Sequence, residues 1–249
     1  MTRRVTWLGH STVLIEVGGA RLLTDPVLRT RLLHLRRVVP SVDPAHHSGL
    51  DAVLLSHLHH DHLHAPSLRT LDRSAVRLVV PAGTGRLGAR QGFAETIELA
   101  PGEATRVGGV RVKAVPAVHD GGRIPLGRKV DALGFVVEAD GLRVYFAGDT
   151  DVFEGMAEME ALDVALIPVW GWGPRLGPGH LDPERAAEAL ALLRPRIAAP
   201  IHWGTLFPLG RRDRSRRLTD PPHEFARAAA RVAPEVEIRV LQPGRALDL

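Results

Sequence analysis

In 249 residues, 45% hydrophobic and 24% charged, no run of eighteen apolar residues occurs, which excludes a disordered chain and a helical membrane span. Cysteine is absent, so disulfides and thiolate metal sites are excluded, any metal must be held by imidazole and carboxylate, and a cytoplasmic location is expected. A formal net charge of +4 and a pI near 10.4 allow a phosphate-bearing or nucleic-acid ligand without demanding one.

Arg3-Arg4 stands ahead of an apolar stretch, but Trp7, His10, Ser11 and Glu16 interrupt any export signal, and Met1 is read as the start of the mature chain. The first hairpin is predicted at TVLIEV (12–17) and ARLLTD (20–25), joined by Gly18-Gly19. The basic segment Arg29 to Arg37 follows. Like RRDRSRR at Arg211 to Arg217, it is expected to be a solvated loop, since no aromatics interleave for base stacking.

DAVLLS (51–56) reads as a buried strand. Further strands are predicted at RLVVPA, ETIEL, VRVKAVPAV, LGFVVEA, LRVYFAG, VALIPV, RIAAPIH and VEIRVLQ, with an Asp140-Gly141 hairpin between two of them. Helices are predicted late. LDPERAAEALALL carries Asp182 as N-cap and Pro183 at the first helical position, and PPHEFARAAARV repeats the pattern.

The order GGARLLTD then DAVLLSH in the first half is echoed by DGLRVYFAGD then DVALIPV in the second. That echo predicts two similar sheet-bearing halves packed face to face, their loops converging at one edge. The chain is taken as one domain, residues 1–249.

SHLHHDH (56–62) places four of the thirteen histidines in seven residues, just after a buried strand. His57 and His59 can point the same way in extended backbone, with Asp61 and His62 on the turn beyond, so the run can serve two neighbouring ions. Lone candidates stand at other strand ends: His119, Asp149 and His202.

The HxHxDH run, the later His, the Gly-Asp pair and the last His resemble the metallo-β-lactamase superfamily. GHSTVLIEVGGARLLTDPV with GPGHLDPE is similar, more narrowly, to the branch containing ascorbate-6-phosphate lactonase and N-acyl-phosphatidylethanolamine phospholipase D. The resemblance implies a four-layer αββα sandwich of the α/β class, with two mixed sheets face to face and helices outside. It further implies two divalent ions, zinc first, with manganese or iron also suited to these ligands. His57, His59 and His119 would hold one ion, Asp61, His62 and His202 the other, and Asp149 would bridge them.

The implied chemistry is hydrolysis of a small ester, lactone or phosphodiester by a metal-bound hydroxide. Asp61 would also orient the nucleophile or take its proton. Asp25 matches a superfamily aspartate that supports a ligating histidine. His10 and His180 match branch positions near the metals, and His180 is expected to bind substrate or protonate the leaving group. Trp170 and Trp172 either line the cleft or serve the core. His60 and His64 fall outside the pattern, His34, His46, His47 and His223 carry no signal, and Gly148 is expected to let the backbone approach the metals.

A nuclease with the same metal centre is one alternative, against which stands the lack of any inserted domain to hold nucleic acid. A non-catalytic metal-binding sensor or scaffold is another. The expected partner is a small molecule, with self-association left open.

Overall fold

The computed structural model describes residues 2–122, 130–173, 175–210 and 216–249. The chain opens with β1 (Arg4–Gly9), β2 (Thr12–Val17) and β3 (Ala20–Thr24), then a small hairpin of β4 (Arg31–Leu32) and β5 (Leu35–Arg37). Next come β6 (Ala52–Leu54), helix α1 (Ala65–Leu68), β7 (Arg77–Pro81), helix α2 (Arg86–Gln91) and β8 (Glu95–Leu99). The second half runs through β9 (Ala104–Val107), β10 (Val110–Asp120), β11 (Asp131–Ala139), β12 (Leu142–Phe146), β13 (Val164–Pro168), helix α3 (Pro183–Leu193) and β14 (Ile197–Ile201). It finishes with β15 (Leu206–Pro208), helix α4 (Pro221–Val232), β16 (Glu237–Ile238) and β17 (Arg245–Asp248).

Two seven-stranded sheets result, β17-β1-β2-β3-β6-β7-β8 and β16-β14-β13-β12-β11-β10-β9. In the first, β1, β2 and β3 are antiparallel and β3, β6, β7 and β8 parallel. The second repeats this, with β10, β11 and β12 antiparallel and β12, β13, β14 and β16 parallel. The echo between the halves therefore reflects one topology used twice. Asp25 follows β3, and Asp149 follows its counterpart β12.

Period-two alternation buries both faces of the first sheet. Ala52 and Leu54 face the core shared with Phe135 and Leu166 of the second sheet, whereas Val53 and Leu55 face outward onto Leu68 of α1. Helices α3 and α4 pack on each other, and α4 meets β14. Asp182 caps α3 by accepting from Arg185 N at 2.9 Å, an interaction that contributes about 1 kcal/mol.

Three expectations change. VEIRVLQ forms only the two-residue β16, and the short α1 and α2 and the strands β1, β9 and β17 had no expected counterpart. The Arg29 to Arg37 segment is not a solvated loop throughout. It contains the β4-β5 hairpin, which pairs with β15, and Arg37 is buried, its guanidinium donating to the carbonyls of Leu8, Pro40 and Val27. Burial pulls its pKa down to about 10. Of RRDRSRR, residues 211–215 lie outside the described residues. No helix among the described residues is long and apolar enough to cross a membrane.

Candidate metal centre

Parallel strands deliver their C-terminal ends to one edge, where loops can turn side chains toward a common point. Asp25 arrives there from β3, the histidine-rich loop from β6, Asp149 from β12, Trp170 from β13 and His202 from β14. Three of the residues gathered there hold left-handed backbone: His10 (φ 52°), Asp25 (φ 33°) and His202 (φ 63°). Non-glycine residues in that region cost of order 1–3 kcal/mol each and persist only where neighbours over-determine them. Here Thr205 Oγ1 accepts from His10 N at 2.7 Å, His10 O accepts from His202 N at 2.9 Å, and Leu54 O accepts from Asp25 N at 3.0 Å.

Among the described residues, side-chain donor atoms converge in four groups. Two of them share no residue and hold most of the predicted ligands: His57, His59 and His119 form one, and His10, Asp61, His62 and His202 the other. The remaining groups are Asp25, His57 and His62, and His119, Asp149 and His180. His119 Nε2 lies 3.1 Å from His59 Nδ1, and His62 Nε2 lies 3.2 Å from His202 Nε2. Asp149 stands between the first two groups, with Oδ2 3.1 Å from His62 Nε2 and Oδ1 3.2 Å from His202 Nε2.

The outward nitrogens of His57, His62, His119 and His202 are fixed. His62 Nδ1–H donates to Asp25 Oδ2 at 2.7 Å, His119 Nδ1–H to Gly179 O at 2.8 Å, and His202 Nδ1–H to Trp170 O at 2.6 Å. Ser56 Oγ–H donates to Asp25 Oδ2 at 2.6 Å, which leaves Ser56 Oγ to accept from His57 Nδ1–H at 2.9 Å. Each of these rings is thereby held with Nε2 turned inward. His57 Nε2 and Asp149 Oδ1 are buried without a hydrogen-bond partner.

The electrostatics state the same need. Burial pushes His57 well below the ordinary imidazole range, His119 down to about 4 and His202 down to about 3. His62 goes the other way. Burial opposes its charge, but Asp149, Asp25 and Asp61 together outweigh that and raise it well above 6.5. Asp149 and Asp61 are held well below the usual carboxylate range by the surrounding imidazoles, against the opposing effect of burial. Clustered carboxylates facing imidazoles that resist protonation form a site suited to added positive charge. Orphaned donor atoms, inward lone pairs and this charge balance fit divalent cations.

The remaining predicted residues surround this cluster. His10 is 1% exposed, its Nε2–H donates to Asp61 Oδ2 at 3.0 Å, and its ring lies 3.9 Å from that of His202. Trp172 Nε1–H donates to the same oxygen at 3.2 Å, and its ring packs on the cluster of Val27, Leu32, Leu35 and Leu206. Trp170 is half-buried against the main core and reaches the site through its carbonyl. His180 Nε2 lies 3.5 Å from Asp149 Oδ2, and its ring edge meets His119.

Some assignments shift. His34 is exposed and stands edge-on to Trp172 at 5.2 Å, so it belongs to the rim of this site. His64 is buried and pairs with Ser67 Oγ at 2.8 Å, at the start of α1. At Gly148 (φ 63°) a Cβ would meet Leu133 O and Ser56 Cβ at 2.8 Å, so the crowding there is between strand ends and not with the donor atoms. Ser56 was missed as a functional residue, although its place at the head of SHLHHDH was a usable signal.

Comparison with known proteins bears on the family and the fold. Residues 20–203 match the Beta-lactamase superfamily domain. The chain is 34% identical over 255 residues to a UPF0173 metal-dependent hydrolase of Opitutus terrae, covering 99% of this chain and 100% of that one. It is 34% identical over 256 residues to a protein of the same description from Rubrobacter xylanophilus, covering 98% and 96%. Among solved structures, Igni18, a metallo hydrolase from Ignicoccus hospitalis, shares the fold with a TM-score of 0.77 at 24% identity, covering 100% of this chain and 99% of that one.

Proposed function

The chain belongs to the metallo-β-lactamase superfamily, within its UPF0173 metal-dependent hydrolases, and on that premise we propose that it hydrolyses a small ester, lactone or phosphodiester at a binuclear metal centre. One observation carries the reading: two sets of donors meet across Asp149, with His57 Nε2 and Asp149 Oδ1 buried and unpartnered between them. His57, His59 and His119 would hold one ion and Asp61, His62 and His202 the other, with Asp149 shared. Zinc suits this imidazole and carboxylate set, and manganese or iron suits it too.

When bound, a pair of divalent ions acidifies water toward neutral pH and polarises a carbonyl or phosphoryl oxygen. The protein's own groups do the rest. Asp61 Oδ2 is fixed by His10 and Trp172, so the carboxylate is held to orient the attacking water and accept its proton. The Gly177 and Pro178 carbonyls lie 3.1 and 3.2 Å from His180 Nδ1 and accept its N–H. Its Nε2 therefore faces the site, placed to bind the substrate or to protonate the leaving group.

The test is metal content. Plasma mass spectrometry of protein purified without tag or chelator, and again after reconstitution, is expected to find close to two ions per chain. Folded protein with near zero after reconstitution would remove the basis of the reading. A second expectation concerns Asp25. Asp25→Asn takes away the charge that holds the His62 tautomer, and second-site affinity in a chelator competition should fall by about 10- to 100-fold. Equal affinity in the variant would show that Asp25 serves the turn alone.

A further inference from the structure

Beyond the metal centre, the same edge of the first sheet carries a cavity of about 720 Å³ where β7 ends. Its lining includes Leu58, which alternates with His57 and His59, and Leu63, which follows His62, so the loop that bears the ligands also forms a wall of this cavity. Arg86 and Arg90 of α2 line it as well, and both are exposed.

These two arginines are oddly placed for a merely solvated helix. They stand four residues apart on a six-residue helix, where like charges face each other and repel. From Arg73 to Ala94 there are four arginines and no acidic residue. Arg73 donates to Gln91 O and Arg77 pairs with Glu95, whereas neither Arg86 nor Arg90 has a carboxylate partner among the described residues. Glu98 also lines the cavity, but its Oε1 accepts from Gly85 N at 2.5 Å, which leaves one engaged carboxylate against two guanidiniums.

The helix is also held in place. A Cβ at Gly88 would lie 1.7 Å from Thr96 Oγ1, and one at Gly85 2.7 Å from Glu98 Cδ. Only glycine lets α2 sit this close to β8, and that close seating fixes where Arg86 and Arg90 project. A planar guanidinium offers paired N–H donors that match two oxygens of a carboxylate or phosphate.

We infer that Arg86 and Arg90 form an oxyanion-binding subsite beside the metal centre, for a carboxylate or phosphate group carried by the ligand away from the bond that is broken. The subsite stands on its own geometry and rests on the hydrolase reading only in treating that ligand as the substrate. The experiment is calorimetric titration of inorganic phosphate, phenyl phosphate and benzoate into metal-loaded full-length protein, which measures binding without turnover. At least one of the three should bind, and R86A/R90A should weaken it tenfold or more, with R86K/R90K losing less than the alanine pair. Tighter binding of phenyl phosphate identifies a phosphate-bearing ligand, and tighter binding of benzoate a carboxylate. If none binds the wild type at 10 mM, or the alanine pair binds as tightly as the wild type, the inference is overturned, while the metal count above is untouched.

Discussion

Asp61→Asn and His62→Ala are each expected to lower kcat/KM by about 10³-fold or more, roughly 4 kcal/mol of transition-state stabilisation. The substrate is whichever chromogenic ester, lactone or phosphodiester the metal-loaded protein turns over. At Asp61 the effect comes from charge and orientation. Asn keeps the shape but cannot accept the proton, and it presents His10 Nε2–H and Trp172 Nε1–H with an amide in place of a carboxylate oxygen. At His62 a ligand is lost outright. The fold should survive both, since Asp61 is 14% exposed and Asp25 keeps its two bonds from Ser56 N and Oγ when His62 is removed. The cost of that second change to stability is about 1–3 kcal/mol. Undiminished turnover in both variants, with circular dichroism and metal content checked, would sink the hydrolase reading.

What could be read from the sequence followed from where the donors lie in the chain. Each candidate ligand stands at or just past the end of an apolar strand, so single residues such as His119 and His202 were visible against a β-rich background. The repeated strand order was legible for the same reason, because LLTD and YFAGD end equivalent strands. Backbone groups were not. The carbonyls of Gly179 and Trp170 orient His119 and His202, yet any residue type supplies a carbonyl, so composition carries no trace of them.

The rim of the site was hidden by long-range pairing. His34 reaches Trp172 because β5 pairs with β15 from the far end of the chain. Nothing local to HLRR announces that partner. Arg37 misled in the same way, since a run of arginines reads as solvated until the carbonyls of Leu8, Val27 and Pro40 converge to bury one of them. Helix α2 was missed because it is only six residues long and contains a glycine, whose low helix propensity is overridden here by packing on Thr96.

Stripping both metals is expected to lower the melting temperature by roughly 16–32 °C and to make the remaining stability fall in acid. Ions at a thousand times their dissociation constant stabilise a fold by about 4 kcal/mol per site, and in a chain of this size each kcal/mol moves the melting point by about 2–4 °C. The pH dependence follows from the histidines. His202 and His119, at about 3 and about 4, bind protons in the unfolded chain at their ordinary value of 6.5 but not in the folded one. Between pH 6.5 and about 4 the unfolded state therefore holds more protons, and stability falls with pH by up to roughly 1.4 kcal/mol per unit for each group. His62, raised above 6.5, is protonated in both states throughout that range and contributes no slope there; its stabilisation is lost only as pH rises through its folded value. Asp61 and Asp149, held low, add to the loss only below about 4. Melting curves of chelator-treated protein from pH 7 to 4, beside the metal-loaded form, would show both effects. If the two forms melt together and the chelated one is flat in acid, these imidazoles are not buried around a common point and the proposed centre does not form.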